Sequence, residues 1–217
     1  MTIKADNYNQ QQLDQEHLTM AEVTRLVEYY QKRAGLPVDG MAGPYTLSRL
    51  GVSKSPGRLL MRSALRIAID CLGEGEVEAN NKSAWLDKVR QKDGTGLPWR
   101  GYKAPWCAAF VSYCYMQAIK GTGSKLPWVS SRSSRALERL LRANGVVHET
   151  PQPGAVAIFR RGVLGRAGHV GLVERYDSKT GRVHTIEGNA SKFPSKVERR
   201  VYSKWLWARK AIGSFGF

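Results

Sequence analysis

One cysteine stands where a helix should begin. Pro105-Trp106-Cys107-Ala108-Ala109-Phe110-Val111-Ser112 sets Cys107 at the first turn of an apolar helix, behind a proline and an indole. A helix N-terminus carries partial positive charge and N–H groups without helical partners, and both favour a thiolate. Far downstream lie Gly168-His169-Val170-Gly171 and Glu187-Gly188-Asn189. His169 is the only one of the four histidines flanked by glycines at an expected strand start. Gly168 and Gly171 are expected to leave room for a substrate beside its imidazole. Glu187 and Asn189 sit two apart at an expected strand end, where alternation points both side chains to one face. One of them can then hold the second ring nitrogen of His169. A thiol, a base and an orienting group in this order suit acyl transfer through a thioester. Each residue alone is more often structural; the three together favour catalysis.

The elements that must carry these residues follow from periodicity. Val23, Leu26, Val27 and Tyr30 recur at helical spacing, which predicts a helix from Met20 to a stop at Gly35. Leu36-Pro37-Val38-Asp39-Gly40 reads as a turn, followed by a short helix near Tyr45 to Leu50. Ser53-Lys54-Ser55-Pro56-Gly57 reads as a linker. Helices are then expected over 58–72, 83–91, 106–120 and 134–143, with a Gly- and Pro-rich loop from Lys92 to Ala104. After Gly145 the period changes to two. Strands are expected over 155–159, 169–176, 183–187 and 197–203. Helices followed by strands predict an α+β fold, with the Cys107 helix packed on an antiparallel sheet.

Composition removes several classes of function. Three cysteines provide no disulfide framework, and the histidines show no zinc-ligand spacing with them. Cys71 and Cys114 are expected to be small buried hydrophobes. The longest apolar-rich run, Ala108 to Ile119, is too short to cross a bilayer. Met1 to Met20 is polar and lacks the pattern of a secretory signal. Charge is uneven: residues 1–52 hold five Lys/Arg against six Asp/Glu, and residues 53–217 hold 29 against 12. A basic second region implies an anionic partner. No nucleic-acid motif accompanies the charge, so a specific nucleic acid is not expected.

Region 58–217 resembles the CHAP domain, the cysteine, histidine-dependent amidohydrolase/peptidase family of the papain-like NlpC type. Pro105 through Cys114 resembles its nucleophile helix. Pro153-Gly154-Ala155-Val156-Ala157-Ile158-Phe159 resembles the strand that follows, and Gly168-His169-Val170-Gly171-Leu172-Val173 its histidine strand. Ile186-Glu187-Gly188-Asn189 resembles the strand with its remaining polar residues. The resemblance implies Cys107 as nucleophile, His169 as base and then acid, Glu187 as orienter, and Asn189 as support for the histidine or the oxyanion. The Cys107 N–H is the natural oxyanion donor. Some CHAP enzymes bind calcium through acids shortly before the cysteine. Here that loop holds Arg100 and Lys103, the nearest upstream acid is Asp93, and no metal or cofactor is expected. Trp85, Trp99, Trp106 and Trp128 cluster around Cys107 in sequence, and Trp99, Trp106 and Gly168 are candidate substrate contacts.

Residues 27–46 resemble the second half of a three-helix peptidoglycan-binding module, through the Val38-Asp39-Gly40, Gly43-Pro44 and Thr46 positions. This implies Asp39 and Gly40 as wall contacts and a module over residues 1–52. The expected function is a peptidoglycan hydrolase of the phage endolysin type. It would stay in the host cytoplasm until lysis and act as a monomer. Peptidoglycan is its expected partner, with anionic envelope polymers or lipopolysaccharide held by the basic region. The site residues are the same for an N-acetylmuramoyl-L-alanine amidase and a peptide endopeptidase. A bacterial toxin or remodelling amidase of the same chemistry, and a non-catalytic wall-binding protein, are the alternatives.

Overall fold

The computed structural model describes residues 19–42, 44–50, 56–98, 104–120, 130–144, 146–148, 150–161 and 167–216. Helix α1 (Met20–Ala34) starts in a capping box: Thr19 accepts from the Glu22 N–H, and Glu22 accepts from the Thr19 N–H at 2.7 Å. It ends at Gly35 in the left-handed region, φ 68°. Helix α2 (Pro44–Arg49) packs on α3 (Pro56–Asp70). Helix α3 begins inside the expected linker. Proline suits a first helical position because its missing N–H would have no partner there, so Pro56 and Gly57 are helical. Residues 53–55 lie outside the described residues.

Helix α4 (Ala84–Gln91) is capped by the Ser83 hydroxyl, which accepts from the Leu86 N–H at 3.1 Å. Helix α5 (Cys107–Ala118) is the core of the molecule. Ten of its twelve residues are buried, as a helix apolar on every side requires. Two polar bonds fix its rotation. Ser112 Oγ donates to the Ser131 carbonyl at 2.9 Å, and the Tyr115 hydroxyl donates to the Gly154 carbonyl at 2.7 Å. Helix α6 is Ser134–Asn144.

The chain then forms β1 (Val146–His148), β2 (Val156–Arg161), β3 (Ala167–Asp177), β4 (Arg182–Glu187), β5 (Glu198–Tyr202), helix α7 (Lys204–Lys210) and β6 (Ala211–Gly216). The six strands make one antiparallel sheet in the order β1-β6-β2-β3-β4-β5. The fold is the expected α+β, with additions. Strands β1 and β6 and helix α7 are absent from the pattern reading, and β6 enters the sheet between β1 and β2. Helices α3, α5 and α6 pack against β3, and α7 against β4 and β6. Val156, Ile158, Val170, Leu172, Ile186 and Phe215 form the sheet's share of the core with Phe110, Leu137 and Leu141 from the helices. Among the described residues, no helix is long and apolar enough to cross a membrane.

Candidate active site

Cys107 is the first residue of α5 and is 5% exposed. Trp106 forms the N-cap without a side-chain cap bond, so no capping oxygen competes for the first-turn N–H groups. The helix ladder starts with the Phe110 N–H donating to the Trp106 carbonyl at 2.9 Å. His169 is the third residue of β3, opposite Phe159 of β2, and is 1% exposed. The imidazole is hydrogen-bonded to the Cys107 side chain on one side. On the other, His169 Nε2 meets Glu187 Oε2 at 2.8 Å. Nε2 is taken by the acid, so Nδ1 is the ring nitrogen left for the sulfur. Glu187 is the last residue of β4 and is fully buried. Its second oxygen, Oε1, accepts from the Thr185 hydroxyl at 2.6 Å and the Tyr202 hydroxyl at 2.8 Å.

The electrostatics follow from these contacts. Burial pulls the His169 pKa down, but hydrogen bonds to Cys107 and Glu187 and their negative charge outweigh it, and the net direction is up. Burial pushes Glu187 up, but its bond to His169 and that ring's charge, with the Thr185 and Tyr202 hydroxyls, outweigh burial, and the net direction is down. The pair is therefore biased towards imidazolium and carboxylate. A thiol, an imidazole and a carboxylate in one hydrogen-bonded line can pass a proton from sulfur to ring while the acid holds the ring's tautomer. Cys71 and Cys114 are different. Burial raises Cys71 to about 11 and raises Cys114 well above an ordinary thiol.

Three expected site residues, Cys107, His169 and Glu187, are thus brought together. Asn189 is not on the strand that carries Glu187. Strand β4 stops at Glu187, and Asn189 follows in the left-handed region at φ 56°. The alternation argument fails there because it needs extended backbone through both residues. Trp106, expected at the substrate, is fully buried and donates its indole N–H to Glu76 Oε1 at 3.1 Å. It is packed edge-on against Trp85 and Phe110. Gly168 does not make room for a ligand either: a Cβ there would collide with Ser134 of α6, so close packing of helix on strand requires the glycine. Gly171 similarly admits the Glu187 side chain. Trp99 and Trp128 lie outside the described residues.

In the N-terminal region, Asp39 and Gly40 build a turn. Asp39 Oδ1 accepts from Gln31 Nε2 at 2.7 Å and from the Met41 N–H at 2.9 Å. Gly40, at φ 68°, presses against Thr24 and donates its N–H to Gln31 Oε1 at 3.0 Å. Both residues are therefore committed to the fold of this segment.

Pattern reading missed Thr185, Tyr202 and Glu76. Thr185 carried a signal, since it precedes Glu187 by two on one strand and shares its face. Tyr202 carried none, because its reach to Glu187 depends on how β5 pairs with β4. Asp93, the nearest acid before Cys107, is buried and ion-paired with Arg132, and also accepts from the Thr95 hydroxyl at 2.7 Å. Among the described residues, no group of three or more His, Cys, Asp or Glu could hold a metal ion.

The CHAP domain family model matches residues 98–189, the span from the loop before Cys107 to Asn189. CHAP domains are typically cysteine- and histidine-dependent amidases or endopeptidases, and the domain implies peptidoglycan hydrolysis in general. No curated protein matches the chain. A solved structure titled "The crystal structure of Ly7917" is similar at 18% identity and a TM-score of 0.36. The alignment spans 71% of this chain and 61% of that one.

Proposed function

We propose that this protein hydrolyses an amide bond of bacterial peptidoglycan through Cys107, His169 and Glu187, and that it is a phage endolysin. The observation that carries the catalytic reading is the line from the Cys107 side chain through His169 to the buried carboxylate of Glu187. The Cys107 thiolate attacks the amide carbonyl, and the first-turn N–H groups of α5 supply donors to the oxyanion. The His169 imidazolium gives its proton to the leaving amine, which departs and leaves a thioester. Water, deprotonated by His169, then attacks the thioester; the acid product leaves, and the cysteine is restored. Glu187 holds the ring throughout.

The finer parts of the reading concern adhesion and release. Residues 1–52 serve as the wall-binding module and residues 58–217 as the catalytic domain. The excess of 29 Lys/Arg over 12 Asp/Glu after residue 52 draws the enzyme to anionic envelope polymers. The protein acts as a monomer and needs no metal. Host cytoplasm is its place until the membrane is opened.

The direct test is Cys107→Ser. It should abolish clearing of purified sacculi while the protein keeps its wild-type circular dichroism; a variant that still clears them overturns the reading. Mass spectrometry of the released muropeptides then separates amidase from endopeptidase cleavage. For the endolysin role, cells expressing the protein should stay intact until a membrane-permeabilising agent is added. Lysis without that agent would point to a protein that exports itself.

A further inference from the structure

We propose that Glu76 is a positioning residue for the nucleophile, acting through Trp106; this rests on the catalytic reading of Cys107. Glu76 lies between α3 and α4 and is 1% exposed. Burial of a carboxyl is costly unless each oxygen finds donors. Here Oε1 accepts from the Trp106 indole N–H at 3.1 Å and the Asn81 N–H at 2.9 Å, and Oε2 accepts from the Ser195 N–H at 2.8 Å. The same residue is tied through its backbone, with the Glu76 N–H donating to the Ser195 carbonyl at 2.9 Å. Around it, the Gly73 N–H donates to the Val197 carbonyl at 3.0 Å, and the Val197 N–H donates to the Glu74 carbonyl at 2.7 Å. One buried carboxyl therefore joins the segment before α4, the segment before β5 and the residue that precedes the nucleophile.

Trp106 links this hub to both halves of the site. Its backbone leads directly into Cys107. Its ring fills the space beside Gly188, where an added Cβ would collide with the indole. Gly188 in turn follows Glu187, the acid on His169. The indole thus stands between the start of α5, which carries the sulfur, and the end of β4, which carries the carboxylate. Trp85 and Phe110 confine its faces and edges, at centroid distances of 5.8 and 6.3 Å. Only the N–H can be held by a directional bond, and Glu76 accepts it. Glu76 therefore sets the ring's orientation, and through it the spacing between Cys107 and the His169–Glu187 pair.

The test uses the full chain and the rate of iodoacetamide alkylation of Cys107 against pH, followed by peptide mass, with the thermal midpoint measured in parallel. Glu76→Gln keeps the shape but turns one acceptor into an N–H donor facing another donor. Trp106→Phe removes the indole N–H, together with part of the buried ring volume, and leaves Glu76 its two backbone partners. Each single variant should slow alkylation near pH 6 on the order of tenfold and displace the pH profile. The double variant should be no slower than the worse single one, because both act through one bond. A Glu76→Gln protein with the wild-type alkylation profile and only a lower thermal midpoint overturns the inference. If Glu76→Gln fails to fold, a wild-type profile in Trp106→Phe does the same. Failure of the catalytic reading looks different. Then wild-type Cys107 itself alkylates as an isolated thiol, with a profile that His169→Ala does not change.

Discussion

Helix α5 carries two buried cysteines, Cys107 on its first turn and Cys114 two turns later. Cys107 is hydrogen-bonded to an imidazole that a buried carboxylate holds. Cys114 is enclosed by the core, and burial drives its thiol far from ionisation. Same residue type, same helix and near-equal exposure come with different surroundings. Burial alone makes a thiol inert. Reactivity requires that the sheet deliver a polar partner, and it does so at the N-terminal end of the helix, where β3 begins and β4 ends beside it. The helix supplies a position; strand pairing supplies the base.

The largest effect expected from this contrast is on turnover. Cys107→Ala should lower muropeptide release from sacculi by roughly 10⁴-fold or more, since removal of a nucleophile leaves only binding and oxyanion contributions. Cys114→Ala should leave turnover within about twofold, because its sulfur touches neither His169 nor Glu187. A comparable loss in the two variants would break the comparison.

Glu187→Gln should come next, at about 10²-fold or more in turnover, with a shifted pH profile. The sign follows from the two influences on His169. Burial lowers its pKa, and Cys107 and Glu187 raise it above the ordinary 6.5. Activity that needs imidazolium as the acid is lost as pH rises through that raised value, so the wild-type basic limb lies above 6.5. Without the carboxylate, burial is less opposed, and the limb moves to lower pH. A variant with an unmoved basic limb would show that Glu187 does not govern the protonation of His169. Stability follows the same linkage. The His169 contribution is full below about 6.5 and is lost as pH rises through the folded value. The Glu187 contribution is full above 4.5 and is lost as pH falls through its lowered value.

Tyr202→Phe isolates one contact on Glu187. Loss of its hydroxyl leaves Thr185 and His169 in place, so turnover should fall on the order of tenfold or less. The pKa of Glu187 should then be less depressed. Acid unfolding, followed by circular dichroism, should occur at higher pH than in wild type. An unchanged acid midpoint would mean that Thr185 alone satisfies Oε1.

The parts of the molecule that were legible in sequence are those with local causes. Helix α1 has its period and its Gly35 stop, and α5 is apolar throughout beside a proline. Strands β2 to β4 alternate or run apolar, and their cores lie where the pattern puts them. Strand β6, Ala-Ile-Gly-Ser-Phe-Gly, has two glycines and no alternation, and its insertion between β1 and β2 is a long-range pairing that no local window encodes. Strand β1 is three residues long. Within the site, Cys107, His169 and Glu187 were readable from residue type and neighbours. Tyr202 and Glu76 were not. Tyr202 reaches Glu187 only through the β4–β5 register, and Glu76 meets Ser195 across 119 positions of chain. Asn189 was misplaced because the strand ends two residues too soon for alternation to hold.

The smallest expected effect is on stability, and it sharpens the contrast most cleanly, because one substitution is made at both cysteines of the helix. Cys107→Ser keeps a hydroxyl within reach of His169, so a hydrogen bond survives and thermal stability should be almost unchanged while turnover vanishes. Cys114→Ser puts a hydroxyl into a fully buried apolar site. It must bond back to the preceding helical turn or remain unsatisfied, and either outcome costs about 1–2 kcal/mol. Its thermal midpoint should drop by several degrees while turnover holds. Denaturant titration beside muropeptide release reads both quantities on the same samples. Should Cys114→Ser lose turnover with its stability intact, the middle of α5 would be coupled to the site, and the division between a reactive and an inert cysteine would fail.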